Sequence, residues 1–131
     1  MNKIKITYRG WIGHFILGYR CVFRLNTLVE SGDIRVIVST VGKLLPKDFF
    51  LGKGGDYETI SYETYYETMV FRATLAEEYY WDWDGDSDNM LSIKGKHRVD
   101  HMDITSDKEA QEMHEAAVQE IVDRICSGEI S

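Results

Sequence analysis

The chain has 131 residues, 44% of them hydrophobic and 28% charged, with two cysteines and a formal net charge of −7. This size and apolar content fit a single domain, residues 1–131, built around one core, and they argue against intrinsic disorder. No apolar run approaches the roughly 18 residues of a membrane span, and the opening MNKIKITYRG has charges with no apolar signal-peptide stretch behind them.

The expectation is therefore a cytoplasmic protein without a membrane partner. Cys21 and Cys126 lie far apart and are expected to be two buried thiols, with one disulfide as the lesser alternative, and are too few for a cysteine-rich zinc site. The charge is uneven. Residues 1–55 hold 9 Lys/Arg against 3 Asp/Glu, a balance of +6, whereas residues 56–131 hold 6 against 19, a balance of −13. An acidic chain lacks the field that draws in polyphosphate, so nucleic acid is not an expected partner, although a local basic pocket can hold a small anion.

In chain order, residues 3–8 alternate, with Ile4, Ile6 and Tyr8 on one side, and predict a strand. Residues 15–29 and 34–41 predict a hairpin. Phe15, Leu17, Tyr19, Cys21, Phe23 and Leu25 form one apolar face, and Ile34, Val36, Val38 and Thr40 the other. Ser31-Gly32 reads as a two-residue turn. Pairing Glu30 with Asp33 sets Leu25 opposite Val38 and Phe23 opposite Thr40, so the apolar faces coincide. The reverse face then carries Arg20, Val22, Arg24 and Asn26, with the two arginines about 13 Å apart along the strand.

Residues 43–62, with Pro46 and the Gly52 to Gly55 cluster, read as loop. Residues 65–75 predict a strand with Met69, Phe71, Ala73 and Leu75 on one face. Shorter strands follow at 78–83 and 89–93, and 94–104 is ambiguous. Residues of about 107–126 predict a helix. Ser106-x-x-Glu109 is a capping box, Ala110, Met113, Ala117, Ile121 and Ile125 repeat at helical spacing with Val118 and Val122 beside them, and Gly128 stands past the end. The fold class is α+β, an antiparallel sheet of about five or six strands over residues 1–104 with one C-terminal helix.

No phosphate-binding glycine loop, dinucleotide fingerprint or nucleophile elbow is present, and no enzyme activity or cofactor is expected. Asp82 to Asn89 does not place ligands in the register of a calcium loop. His97 and His101 have the spacing of a zinc pair, yet lack the glutamate of a metalloprotease and read as a surface cluster. His114 sits beside the apolar stripe of the helix and reads as a packing residue. Gly52 to Gly55 offers an anion nest, or simply a loop.

The arginines point more clearly. Two on one sheet face are costly unless they meet water or an anion, and their forks suit phosphate, while the 8 Tyr, 5 Phe and 3 Trp offer stacking surface.

The run Arg9-Gly10-Trp11-Ile12-Gly13-His14-Phe15 resembles a group of small phage proteins. The likeness continues through Tyr19-Arg20-Cys21, Phe23-Arg24 and Asn26-Thr27-Leu28, then Val38-Ser39-Thr40-Val41-Gly42 and Tyr65-Tyr66-Glu67-Thr68-Met69-Val70-Phe71. These stretches, within residues 8–83, look like the first-described Thoeris anti-defence family. Such proteins are sponges that bind cyclic immune signalling nucleotides, among them cyclic ADP-ribose isomers and cyclic oligonucleotides, without degrading them.

The resemblance implies a sheet with C-terminal helices and a homodimer or higher homo-oligomer in the bacterial host cytoplasm during infection. It implies a ligand site drawn from Arg9, His14, Arg20, Arg24, Phe71 and Asn89, with Phe71 as the stacking ring. The acidic run Asp82 to Asp88 departs from the family pattern. Two other readings compete with sequestration. One is a protein–protein inhibitor whose acidic half masks a basic surface. The other is a metal phosphodiesterase using His97, His101 and nearby aspartates.

Overall fold

The computed structural model describes residues 3–10, 20–46, 49, 55–61, 63–76 and 80–131. Among the described residues, eight strands precede one α-helix: β1 (Lys5–Tyr8), β2 (Cys21–Ser31), β3 (Ile34–Leu44), β4 (Tyr66–Arg72), β5 (Thr74–Ala76), β6 (Tyr80–Asp82), β7 (Met90–Leu91), β8 (Arg98–Val99) and α1 (Ser106–Cys126). A six-stranded antiparallel sheet runs β1-β2-β3-β4-β7, with β8 also on β4, and β5 pairs with β6 in a separate ribbon. The fold is α+β, as the residue pattern predicts.

The β2–β3 hairpin forms, but two residues out of the predicted register. Ser31 pairs with Ile34, Glu30 with Arg35, Leu25 with Thr40 and Phe23 with Gly42, so the turn is Gly32-Asp33. Two-residue hairpin turns need a positive φ at their first central position. Gly32 supplies it (φ 58) without a Cβ penalty, whereas the predicted turn put Ser31 there. A shift of two keeps every side chain on its face.

Near the open end of the hairpin the ladder passes over Val22 and Lys43, and Lys43 adopts a left-handed backbone (φ 53). The alternation breaks there. Cys21 was expected beside Phe23 and Leu25; it packs instead with Val41, Leu44 and Ile60. Cys126 is exposed, against the expectation of burial, because it sits on the outer side of the last helical turn; both thiols are free.

The predicted 65–75 strand divides. It stops at Arg72, Ala73 N donates to Arg35 O, and residues 74–76 turn away to pair with β6. Met69, Phe71 and Ala73 keep their shared face, while Leu75 is exposed.

Helix α1 lays the predicted stripe on the sheet. Ala110, Met113, Ala117, Val118, Ile121 and Ile125 are all buried, against Val29, Val36, Val38, Val70 and Tyr66. Its start differs from the predicted capping box. Thr105 is the N-cap, with no side-chain cap bond, and Ser106 is the first helical residue. Ser106 Oγ donates to His101 O and accepts from Asp103 N, and Glu109 is drawn sideways to Lys96 and His101. The Asp103 carboxylate accepts from Thr105 N and Oγ1, and so takes over the ordering of this turn.

Deep under the helix lies one polar chain. His114, 1% exposed, sits between Thr27 Oγ1 (2.8 Å from Nε2) and Thr40 Oγ1 (2.7 Å from Nδ1), and Thr40 continues to Thr68 Oγ1 at 2.6 Å. A neutral imidazole donates from one nitrogen and accepts at the other, and the two hydroxyls complement that pattern. Burial pulls the His114 pKa down to about 4. The packing role expected of His114 is thus accompanied by a hydrogen-bonded tie across three strands.

Candidate functional site

The sheet face away from α1 carries the arginines. Continuing the β1–β2 ladder sets Arg9 against Asn26, with Arg9 N donating to Asn26 O at 2.7 Å. The Arg9 side chain lies over the same residue. Nε donates to Asn26 Oδ1 at 2.9 Å and Nη1 donates to Trp81 O at 2.6 Å. Arg24 is two positions before Asn26 in β2, hence on the same face. It is half-buried, and burial lowers its pKa, with the neighbouring Cys21 acting in the opposite direction. Burial likewise pushes the Cys21 thiol up to about 11 in spite of Arg24 and Arg20.

This face is not open along its length. Leu28, Ile37, Phe71, Met69 and Ala73 pack under Trp81 and Trp83. The Arg35 guanidinium lies 4.3 Å above the Trp81 ring, and Trp83 stacks on Phe71 with centroids 5.2 Å apart.

The six residues expected at the site separate accordingly. Arg9 and Arg24 share the sheet face of Asn26, which holds Arg9. Arg20, expected on the open face, is 8% exposed, and its Nη2 donates to Leu45 O (2.6 Å) and to Glu58 Oε1 (3.2 Å). Phe71 is 0% exposed, so a ligand ring reaches it only by displacing Trp83. Asn89 ends a short 3-10 turn, Ser87–Asn89, where its Nδ2 donates to the Asp84 carboxylate at 3.0 and 3.2 Å. His14 lies outside the described residues.

Asn26 is the residue that sequence reasoning placed on this face without giving it a role. Only the β1–β2 pairing reveals that Arg9 is held by it.

A cavity of about 220 Å³ opens where β1 ends, lined by Tyr8, Gly10, Leu25, Asn26, His114 and Gln111, with Glu115 at its side. Whole small-ligand pockets usually offer about 300 Å³ or more, so this one suits part of a ligand. The cavity lies on the α1 side of the sheet, with Leu25, His114 and Gln111, whereas Arg9 and Arg24 face away from α1.

Among the described residues, no group of three or more His, Cys, Asp or Glu side chains is arranged to hold a metal ion. His97 Nδ1 faces Gly95 O at 3.3 Å, while His101 faces Asp100 and Glu109. In the acidic turn, Asp84 accepts from Asp86 N and Asp86 accepts from Asp88 N, so these carboxylates cap local backbone. The backbone N–H of Asp86 and the Asn89 amide hold the Asp84 carboxyl below its ordinary range. Also among the described residues, no helix is long and apolar enough to cross a membrane. Comparison with family models, with curated proteins and with solved structures finds no match.

Proposed function

We propose that this chain is a binding protein that sequesters a small cyclic signalling nucleotide, a cyclic ADP-ribose isomer or a cyclic oligonucleotide, and releases it chemically unchanged. The observation that carries this reading is the placement of Arg9, Asn26 and Arg24 on one sheet face, with Arg9 Nε donating to Asn26 Oδ1 at 2.9 Å and Arg24 two positions away on the same strand. A partly desolvated guanidinium gains from an anion that replaces lost hydration, and its planar fork grips phosphate by paired charge-assisted hydrogen bonds. Asn26 can answer the polar edge of a base or sugar.

The resemblance to the Thoeris anti-defence sponges supports the same ligand class and a role in phage evasion of host immunity. It also supports a homodimer or higher assembly. The test is to incubate the protein with a panel of cyclic nucleotides, separate the complex, denature it and identify what is released. Intact ligand supports sequestration; a cleaved product points to an enzyme, and absence of any bound nucleotide removes the reading.

A further inference from the structure

The outer edge of β4 is shared by two short strands with a gap between them. β7 pairs at Val70 and Phe71, and β8 at Tyr66 and Glu67. The chain between the two, from Ser92 to His97, belongs to no strand, and it meets β4 where Thr68 N donates to His97 O at 2.9 Å. Along this gap lies a cavity of about 390 Å³, within the usual range of small-ligand pockets, about 300–1,000 Å³. Glu67, Met69, Met90, Ile93, His97 and Arg98 are among its walls.

Glu67 and Arg98 are directly opposed in the β4–β8 ladder, so their side chains stand on one face. Opposite charges so placed, with Cβ atoms about 4.5–5.5 Å apart, ordinarily close into a stabilising pair. Here the two form no ion pair, and neither side chain makes a hydrogen bond with any described residue. Glu67 is nonetheless half-buried. Burial holds its carboxyl above the ordinary range, although Arg98 and His97 pull the other way. A carboxylate that has lost water without gaining a hydrogen bond carries a cost that a cationic donor removes. Arg98 is exposed, and its planar fork suits a carboxylate.

This pair selects among ligands by charge spacing. A simple anion gains from Arg98 and is repelled by Glu67; a simple cation meets the reverse. A zwitterion with a long spacer sets its charges farther apart than the two residues stand. A ligand with an ammonium and a carboxylate on one carbon answers both together. Met69, Met90 and Ile93 add apolar wall, and thioether side chains adapt to varied shapes, so the rest of the ligand is hydrocarbon.

We propose that this cavity binds a free aliphatic α-amino acid as its zwitterion, with the ammonium on Glu67, the carboxylate on Arg98 and the side chain against Met69 and Met90. Nothing in this site depends on Arg9 or Arg24.

L-leucine serves as the probe, titrated by calorimetry near neutral pH, where both its charged groups are present. Saturable binding is expected. N-acetyl-L-leucine lacks the ammonium and L-leucinamide lacks the carboxylate, and each is expected to bind about tenfold more weakly or worse, as loss of a charged contact implies. Glu67→Gln and Arg98→Gln are expected to weaken leucine binding about fivefold or more. Glu112→Gln, which removes a charge from the exposed side of α1, leaves it unchanged. The comparison of analogues uses the unaltered chain, so it decides the matter even where a variant fails to fold. Leucine binding that does not saturate at millimolar concentration, or equal affinity for leucine and both blocked analogues, overturns the assignment. Undiminished binding in both folded variants overturns it as well.

Discussion

Arg9 Nη1 donates to the carbonyl oxygen of Trp81 at 2.6 Å, joining the edge strand β1 to the β5–β6 ribbon across 72 residues of sequence. The same guanidinium holds Asn26, so one side chain connects the ribbon and the sheet. Anion binding at Arg9 therefore competes with, or tightens, its hold on the ribbon. Arg9→Ala is expected to loosen the ribbon and shift tryptophan emission to the red, with the helix content by circular dichroism unchanged. Arg9→Lys keeps the charge but not the two-directional fork, and is expected to behave nearly as the alanine variant. Unaltered emission in both variants would show that the clamp does not hold the ribbon.

His114 makes stability depend on pH. In the folded chain the imidazole stays neutral down to about pH 4, against an ordinary value of 6.5. The unfolded state thus binds the proton first on acidification. Stability from this group is complete above pH 6.5 and is lost as pH falls through 6.5 toward 4, by at most about 3 kcal/mol. Urea unfolding at pH 7.5, 6 and 5 checks the direction, and His114→Gln is expected to flatten the curve over that window. An equally steep decline in the variant would assign the effect to other groups.

Gly42 lies under the ring of Tyr66, where an added Cβ would overlap the ring carbons. Tyr66 cannot simply rotate away. Its ring meets Phe23 edge-on at 5.3 Å, and its hydroxyl donates to Asp107 Oδ1 at 2.5 Å. Gly42→Ala is therefore expected to destabilise by about 1–3 kcal/mol, the usual cost of overpacking. Denaturant midpoints measure it, and a loss below about 0.5 kcal/mol would mean that the contact relaxes freely.

Much of the fold was legible because periodicity is set by burial. The stripe from Ala110 to Ile125 and the alternation of Val36, Val38 and Thr40 were readable from spacing alone. What escaped depends on single backbone angles or on distant partners. The hairpin register turned on the positive φ of Gly32, and the side taken by Cys21 on the irregular ladder at Val22 and Lys43. The site was less legible still. Arg20 and Arg24 look equivalent four residues apart, yet a bridge between Leu44 and Glu58 captures one guanidinium and leaves the other on the far face. Nothing in the spacing foretold that Trp83 would cover Phe71.

Assembly is open to direct measurement. The expectation of an oligomer began from an aromatic sheet with one helix to cover it, and the second face is in part covered within the chain by Trp81 and Trp83. Exposed apolar groups remain on the edge strand β1, at Ile6 and Tyr8. Edge strands with such groups invite pairing. Sedimentation at micromolar concentration is expected to show a dimer or larger species, and Tyr8→Lys to shift it toward monomer. A monomer across that range contradicts the assembly.

The central claim is that Arg24 and Arg9 hold an anionic nucleotide on the sheet face away from α1. Its most direct test is calorimetry of Arg24→Ala with the tightest ligand from the cyclic nucleotide panel, on protein shown to be folded and correctly assembled. Removing one partly desolvated charged contact is expected to cost about 2–5 kcal/mol of binding. That loss weakens Kd at least about tenfold, with Arg9→Ala close behind and Arg24→Lys recovering only part of the affinity. Unchanged affinity in both alanine variants would contradict the account.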